Sequence, residues 1–555
     1  MENIDYSQTP TQNDEPEILI DSSWKKDKEL RVLRSPSKNA FPLIWNAATL
    51  VDLSDYHTCR LIFTFAKKEI EVKGKKVPVL TYDSFYRDGI VKLLNSFGFC
   101  KIYRSNSQCL FVRIDNGIVA EFSASQIKDY FIQFLDQIDS NIVTTDDRKA
   151  TCSLKPEFIW ERAKRESHLF FNDTFLAHLS TIDTSLFVKH SAREAIYQFT
   201  NCRVSVTPDG IRTIKEWNTE KLFWESQIIQ RKYTDSSIEC QFRDFCWNLS
   251  GKSEERFNTL RSQLGYLLHN YKGANQVKII LFYDEEKTTP GKPEGGTGKT
   301  LLIVAIGKFA NTVIVDGQKA DPTDKFFFQN IDESTQVFVI DDASKDFNID
   351  LLNSASTTGF HVEGKKQKAF MIPHDLAPKM AITSNVILAS EGNTRVRRQS
   401  IFEVNPFYKK LQEKGVDDPV KYVHGNLFFS EWDSDEWNSF QSFMMDCVYY
   451  YLTNGLQNYT LINVQQNRAF HSIGTEFMTW IEGIQLTDGT YNTGELYNSF
   501  HHQHGDVYEK RGFSNRLKKW AEIKGFEYCF DSSHGETFIT LKSNNNNKNL
   551  DSVGN

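Results

Sequence analysis

The residues that point most directly to chemistry are Gly295-Gly296-Thr297-Gly298-Lys299-Thr300. An apolar run at 277–283 precedes them. A stretch at 301–309 follows, with Leu, Ile and Val on the side a helix would bury. Glycines let backbone N–H groups converge on anionic oxygens, and the positive end of the following helix adds to the field. Lys299 would then reach the β and γ phosphates of ATP, and the Thr300 hydroxyl would hold Mg²⁺. Gly295, Gly296, Thr297, Gly298, Lys299, Thr300 and Leu301 form the expected phosphate-binding set. Strict spacing would place a glycine where Pro293 stands, and residues 284–292 lengthen the loop.

Four further patterns lie downstream. Val337-Phe338-Val339-Ile340 is an apolar strand run ending in Asp341-Asp342. A DD after a strand is often a turn or a helix cap. About forty residues past a phosphate loop, it more naturally serves Mg²⁺ and the attacking water. One carboxylate would support the metal, for which Asp341 is the first candidate beside Thr300, and the other would orient or deprotonate the nucleophile. Next, KMAITSN ends in Asn385, whose amide could hydrogen-bond a γ phosphate or the lytic water. Arg397 and Arg398 precede a final strand, SIFEV, and a guanidinium there could enter a neighbour's nucleotide site. Between the acids and Asn385, residues 358–370 read as a hairpin turning at Gly364. Lys365, Lys366 and Lys368 cluster at its tip, with His361, Phe360 and Phe370 beside them. Lysines pair with phosphates, and His or aromatic rings can stack on bases.

These residues need a scaffold. Strand and helix alternate over 277–410, with strands expected at 277–283, 311–315, 336–340, 379–384 and 400–404. That alternation predicts a parallel sheet flanked by helices. The 555-residue length calls for several domains. Residues 1–40 are polar and read as disordered. Residues 41–150 read as a small α+β domain, with strands at 59–65, 76–82 and 110–114 and helices at 84–96 and 125–136. Residues 151–273 are mixed and become helical, with an apolar stripe of Phe257, Leu260, Leu264, Leu267 and Leu268. Segment 274–407 is the ATPase candidate, and 408–466 is helical. Over 467–543, helices at 474–482, 493–502 and 514–524 lead to a terminal hairpin, which suggests a winged helix. Ser514 is the expected cap of its last helix. Arg516, Lys518 and Lys519 on that helix are candidate DNA contacts. The tail at 544–555 is low in complexity and reads as disordered.

Composition narrows the partners. The net charge of −7 gives no global basic footprint, so nucleic acid would have to be met by local clusters. The nine cysteines form no C-x-x-C pair, which argues against a zinc site and fits a reducing, cytoplasmic location. No run is long and apolar enough to suggest a membrane span.

Taken in order, GGTGKT, VFVIDD, GFHVEGKKQK, PKMAITSN and RVRRQSIFEV resemble the superfamily 3 helicases of viruses, phages and mobile elements. The likeness is greatest to the poxvirus-type and phage primase–helicase ATPases, and it covers about residues 257–404. The resemblance implies an AAA+-like ATPase core in a hexameric ring, with ATP and Mg²⁺ bound between subunits. It implies that Lys299 and Thr300 bind phosphate and metal, that Asp341 and Asp342 supply the acids, and that Asn385 senses the γ phosphate. Arg397 or Arg398 would come from the adjacent subunit, and the hairpin lysines would grip one DNA strand in the channel. A primase or polymerase of the same replication system would be a natural partner. An ATP-dependent initiator or loader that assembles on an origin without processive unwinding is the alternative. A small-molecule phosphotransferase predicts neither the arginines nor the basic hairpin.

Overall fold

The computed structural model describes residues 32–34, 48–50, 56–105, 108–136, 142–146, 150–215, 221–273, 277–286, 295–365, 368–388, 397–462, 473–533 and 535–543. The chain is multidomain α/β. Its centre is a five-stranded sheet ordered Thr312–Asp316, Val337–Asp341, Lys379–Ser384, Ile279–Asp284, Gln399–Val404. Every neighbouring pair is parallel. The three middle strands are buried on both faces, which is why their sequences are continuous apolar runs rather than alternating ones. The expected bounds of these five strands hold to within two residues.

Alternation along each strand divides two cores. Ile280, Phe282, Val337, Val339, Ala381, Phe402 and Val404 face a core shared with the Lys299–Phe309, Glu254–Leu268 and Ser434–Asn454 helices. Ile279, Leu281, Tyr283, Phe338, Ile340, Met380 and Ile382 face the other way, onto Leu352, Phe360, Val362, Phe370 and Ile372. The stripe of Phe257, Leu260, Leu264 and Leu267 is buried in the first core. Gly265 lies where its helix meets the Ser434–Asn454 helix, and an added Cβ there would overlap the Cys447 carbonyl.

The first core runs continuously from Ala195 to Val448, across the boundaries drawn near residues 273 and 407. It takes in an unanticipated antiparallel sheet, Ala195–Gln198, Arg203–Thr207 and Gly210–Ile214. Upstream, Phe223–Trp224 pairs parallel with Ile118–Glu121, so the N-terminal unit also reaches past residue 150. Residues 59–65, expected as a strand, instead end the helix Tyr56–Ile62 and begin the strand Phe63–Val72. Cys59, Ile62 and Phe63 are all buried, at spacings of three and four, so the helical period wins over a short apolar run. Within the stretch expected to be disordered, Val32–Arg34 pairs antiparallel with Ala48–Leu50. The other residues of 1–40, and 544–555, lie outside the described residues.

The N-terminal unit docks on the central one through Arg104, near the end of the Phe99–Ser105 strand. Its Nε and Nη2 donate to Glu333 Oε1 at 2.5 Å and Oε2 at 2.6 Å. The same guanidinium lies 4.4 Å from the centre of the Phe370 ring.

The C-terminal unit runs helix Thr475–Ile484, strand Gly489–Asn492, helices Thr493–His504 and Lys510–Ile523, then strands Phe526–Ser533 and Glu536–Ser543. Its last helix starts four residues earlier than expected. Ser514 is not the cap but an interior residue whose hydroxyl donates back to the Lys510 carbonyl. No described helix is long and apolar enough to cross a membrane.

Candidate functional site

Because the five strands are parallel, all their C-terminal ends open on one edge, where α/β sheets present ligand sites. The strand order decides which polar groups meet. Lys379–Ser384 lies between the strand leading to the glycine loop and the strand carrying the acids. Asn385, one residue past its end, therefore bridges the two. Its Oδ1 accepts from Lys299 Nζ at 2.7 Å, and its Nδ2 donates to Asp342 Oδ1 at 2.9 Å.

The two acids take different positions. Asp341 Oδ2 accepts from the Thr300 hydroxyl at 3.3 Å, and its Oδ1 accepts from the Thr383 hydroxyl at 2.5 Å. Asp342 turns away with φ of 58° and accepts from Asn385 and, at 3.0 Å, from Gln318 Nε2. Its backbone N–H donates to Thr383 Oγ1 at 2.7 Å. One threonine thus fixes both acids. The pair named from sequence for the metal, Thr300 and Asp341, are direct neighbours. Asp342 belongs with Asn385 instead.

Lys299 opens the Lys299–Phe309 helix and is 6% exposed. Its ammonium also donates to Asp284 Oδ1 at 2.5 Å and Thr297 Oγ1 at 3.2 Å. Gly298 precedes it with φ of 103°, and a Cβ there would stand 2.9 Å from the Phe245 ring. The position needs glycine for its conformation and for its space.

Gly295 to Leu301, Asp341, Asp342, Thr383 and Asn385 line one cavity of about 590 Å³. Its far wall is Tyr408, Gln412, Pro419 and Val420, from two short downstream helices. The residues present suit a nucleotide with Mg²⁺: a buried cation and glycine backbone for phosphate, and a hydroxyl beside a carboxylate for the metal. Among the described residues no cluster of three or more His, Cys, Asp or Glu could hold a metal by itself. A metal here would take its remaining ligands from phosphate and water.

Sequence reasoning missed Asp284, Thr383, Tyr408, Gln412 and Gln318. Asp284 and Thr383 sit at the ends of strands already singled out, so position could have found them. The residues of the far wall carry no motif.

The other candidates lie apart from this cavity. Arg398 is half-buried, and its Nη1 donates to the Asn353 carbonyl at 3.0 Å. Arg397 is exposed. The expected hairpin forms as Gly359–Val362 paired antiparallel with Phe370–Pro373. Lys365 and Lys368 are exposed at its end, and His361 is exposed opposite Met371. Phe360 and Phe370, expected to flank bases, are instead buried in the core under the sheet. Lys366 and Pro293 lie outside the described residues. In the C-terminal unit Lys518 and Lys519 are exposed. Arg516 also makes contacts within its own unit. It stacks 3.6 Å from the Tyr508 ring centre, and its Nη1 donates to the Gly512 carbonyl at 3.1 Å.

No known protein family matches the sequence, and no curated protein does. Among solved structures, the chain is similar to the C-terminal region of NrS-1 at 12% identity and a TM-score of 0.35, covering 82% of this chain and 99% of that one. It is also similar to Drosophila ORC bound to DNA at 10% identity and a TM-score of 0.17, covering 56% of this chain and 89% of that one. Likeness at this level does not assign the chain to a family.

Proposed function

We propose that the chain is an ATP-dependent DNA helicase of the replicative type, working as a ring on single-stranded DNA. The observation that carries this reading is the line Lys299–Asn385–Asp342 across the sheet edge, with Thr300 and Asp341 beside it. A cation, an amide and two acids aligned in this order suit a transferring phosphoryl group and the water that attacks it. Lys299 and the backbone of Gly295 to Thr300 would hold the phosphates. Thr300 and Asp341 would hold Mg²⁺, which supplies charge neutralisation on the β and γ oxygens. Asn385 would orient the water and Asp342 would draw its proton. The C-terminal unit would serve as a winged-helix-like DNA contact, and its exposed Lys518 and Lys519 suit phosphate contacts.

Arg397 is the stronger candidate for action in a neighbouring subunit's site, because Arg398 is committed to Asn353 of its own chain. Lys365 and Lys368 stand exposed on a hairpin whose root is buried, which suits a rigid element that meets the DNA backbone. Unwinding of a forked duplex with ATP and Mg²⁺ tests the reading. Lys299→Ala should abolish both hydrolysis and unwinding. Origin-type duplex binding with hydrolysis but no strand displacement would instead favour an initiator or loader.

A further inference from the structure

Three consecutive acids, Asp284 to Glu286, run from the last residue of the Ile279–Asp284 strand, and each has its own cation. Glu285 pairs with Arg256 at 2.7 Å and Glu286 with Lys409 at 3.1 Å, both on other elements. Asp284 pairs with Lys299 at 2.5 Å. Its carboxylate also accepts from the Thr297 hydroxyl at 2.7 Å. Lys299 has three N–H groups, and Asp284, Asn385 and Thr297 occupy all three. The side chains of Lys299 and Asp284 are 7% and 13% exposed, so water screens the pair little.

A phosphate therefore meets a lysine with no N–H to give and a carboxylate already in the place it needs. Anion and carboxylate, both within reach of one ammonium, would sit only about 4–5 Å apart and repel. Among the described residues Asp284 has no second cation within ion-pair distance.

We infer that Asp284 is a positioning residue that stands in for phosphate on Lys299 and is displaced when nucleotide binds. This rests on the nucleotide-site reading above. Asp284 holds Lys299 aimed at the sheet edge and keeps a buried ammonium paired. Its removal stabilises the bound state relative to the free one in two ways. The empty site loses a partner, and the full site loses a repulsion. Nucleotide affinity is thereby set below what the glycine loop and Lys299 could give alone.

The test compares wild type, Asp284→Asn, Asp284→Ser and Lys299→Ala in the full chain. Binding of Mg·ADP and of a non-hydrolysable Mg·ATP analogue is measured by calorimetry, and melting is followed with and without nucleotide. Asp284→Asn keeps the acceptor for Thr297 but not the charge. It should bind nucleotide on the order of ten- to a hundredfold more tightly. It should also melt below wild type when empty, with the gap closing at saturating nucleotide. Asp284→Ser serves if the Asn variant does not fold. Affinity unchanged or weakened in a folded Asp284 variant overturns the inference while leaving the site reading intact. If neither wild type nor the variants bind nucleotide, the site reading itself is overturned, and the inference with it.

Discussion

Replacing Arg104 with alanine removes the centre of the junction between the N-terminal unit and the central sheet. Glu333 loses a two-pronged partner, and Phe370 loses the cation over its ring. The pair is neither exposed nor sealed: Arg104 is 12% and Glu333 17% exposed. Breaking a fully buried pair costs about 3–5 kcal/mol, and a surface pair under about 1 kcal/mol, so about 2–3 kcal/mol is expected here. The cost should depend on pH. Burial raises the Glu121 carboxyl above its ordinary value, Arg104 opposes that rise, and Glu333 and Asp332 reinforce it. Without Arg104, Glu121 rises further. An acid whose folded pKa is raised carries a destabilisation that is full above that pKa and is relieved as pH falls through it. The variant should therefore lose more stability at about pH 8 than at about pH 5. Hydrogen exchange of the Phe99–Ser105 and Phe370–Pro373 strands reads this locally, without assuming that a multidomain chain unfolds in one step. Adding Glu333→Gln should restore part of the protection. A loss below about 0.5 kcal/mol, or an equal loss at both pH values, would refute the reasoning.

Gly265→Ala should destabilise the chain by at least about 2 kcal/mol, because its Cβ meets the backbone of the facing helix; urea denaturation followed by circular dichroism measures it. Changing Lys365 and Lys368 together to alanine should lower DNA-stimulated hydrolysis more than basal hydrolysis, and equal loss of both would count against a channel role. Arg397→Ala should suppress turnover of the assembled protein while leaving melting unchanged. Arg398→Ala should lower the melting temperature as well, since it empties a bond to Asn353. Burial lowers the Lys272 ammonium from 10.5 to about 7. A lysine lowered on folding holds its proton more tightly in the unfolded chain, so wild-type stability should rise between about pH 7 and 10 relative to Lys272→Met; a flat difference would count against that burial.

The central strands were legible because burial on both faces leaves a plain apolar run, and the polar residue ending each run marks the sheet edge. Asn385 was readable for the same reason. What the spacing did not reveal was which ends would be neighbours, because strand order is a property of crossovers rather than of any one run. The split between Asp341 and Asp342 depends on the Thr383 hydroxyl of the adjacent strand, so it could not be read from the dipeptide. The hairpin forms, but its second strand begins at Phe370, where it was expected to end, and its aromatics were misjudged. Phe360 and Phe370 alternate with exposed His361 and Met371, and that period of two, applied strictly, would have turned both rings inward. The stacking of Arg516 on Tyr508 was not readable from charge, because the ring lies before the helix that carries the arginine.

The meeting of Gly265 with Cys447 also bears on how the chain is made. The sheet lies between them in sequence, yet the Glu254–Leu268 helix, which packs on the Lys379–Ser384 and Gln399–Val404 strands, is itself covered only when the Ser434–Asn454 helix arrives. A ribosome that has released the glycine loop, the acids and Asn385 has still to deliver the Ser434–Asn454 helix. Until then buried residues of the Glu254–Leu268 helix lack part of their cover, and closing so long a loop is entropically slow. The order of synthesis thus leaves the helical layer behind the sheet among the last parts of the molecule to become rigid. A chain truncated soon after residue 404 would carry every motif and still present an uncovered apolar face.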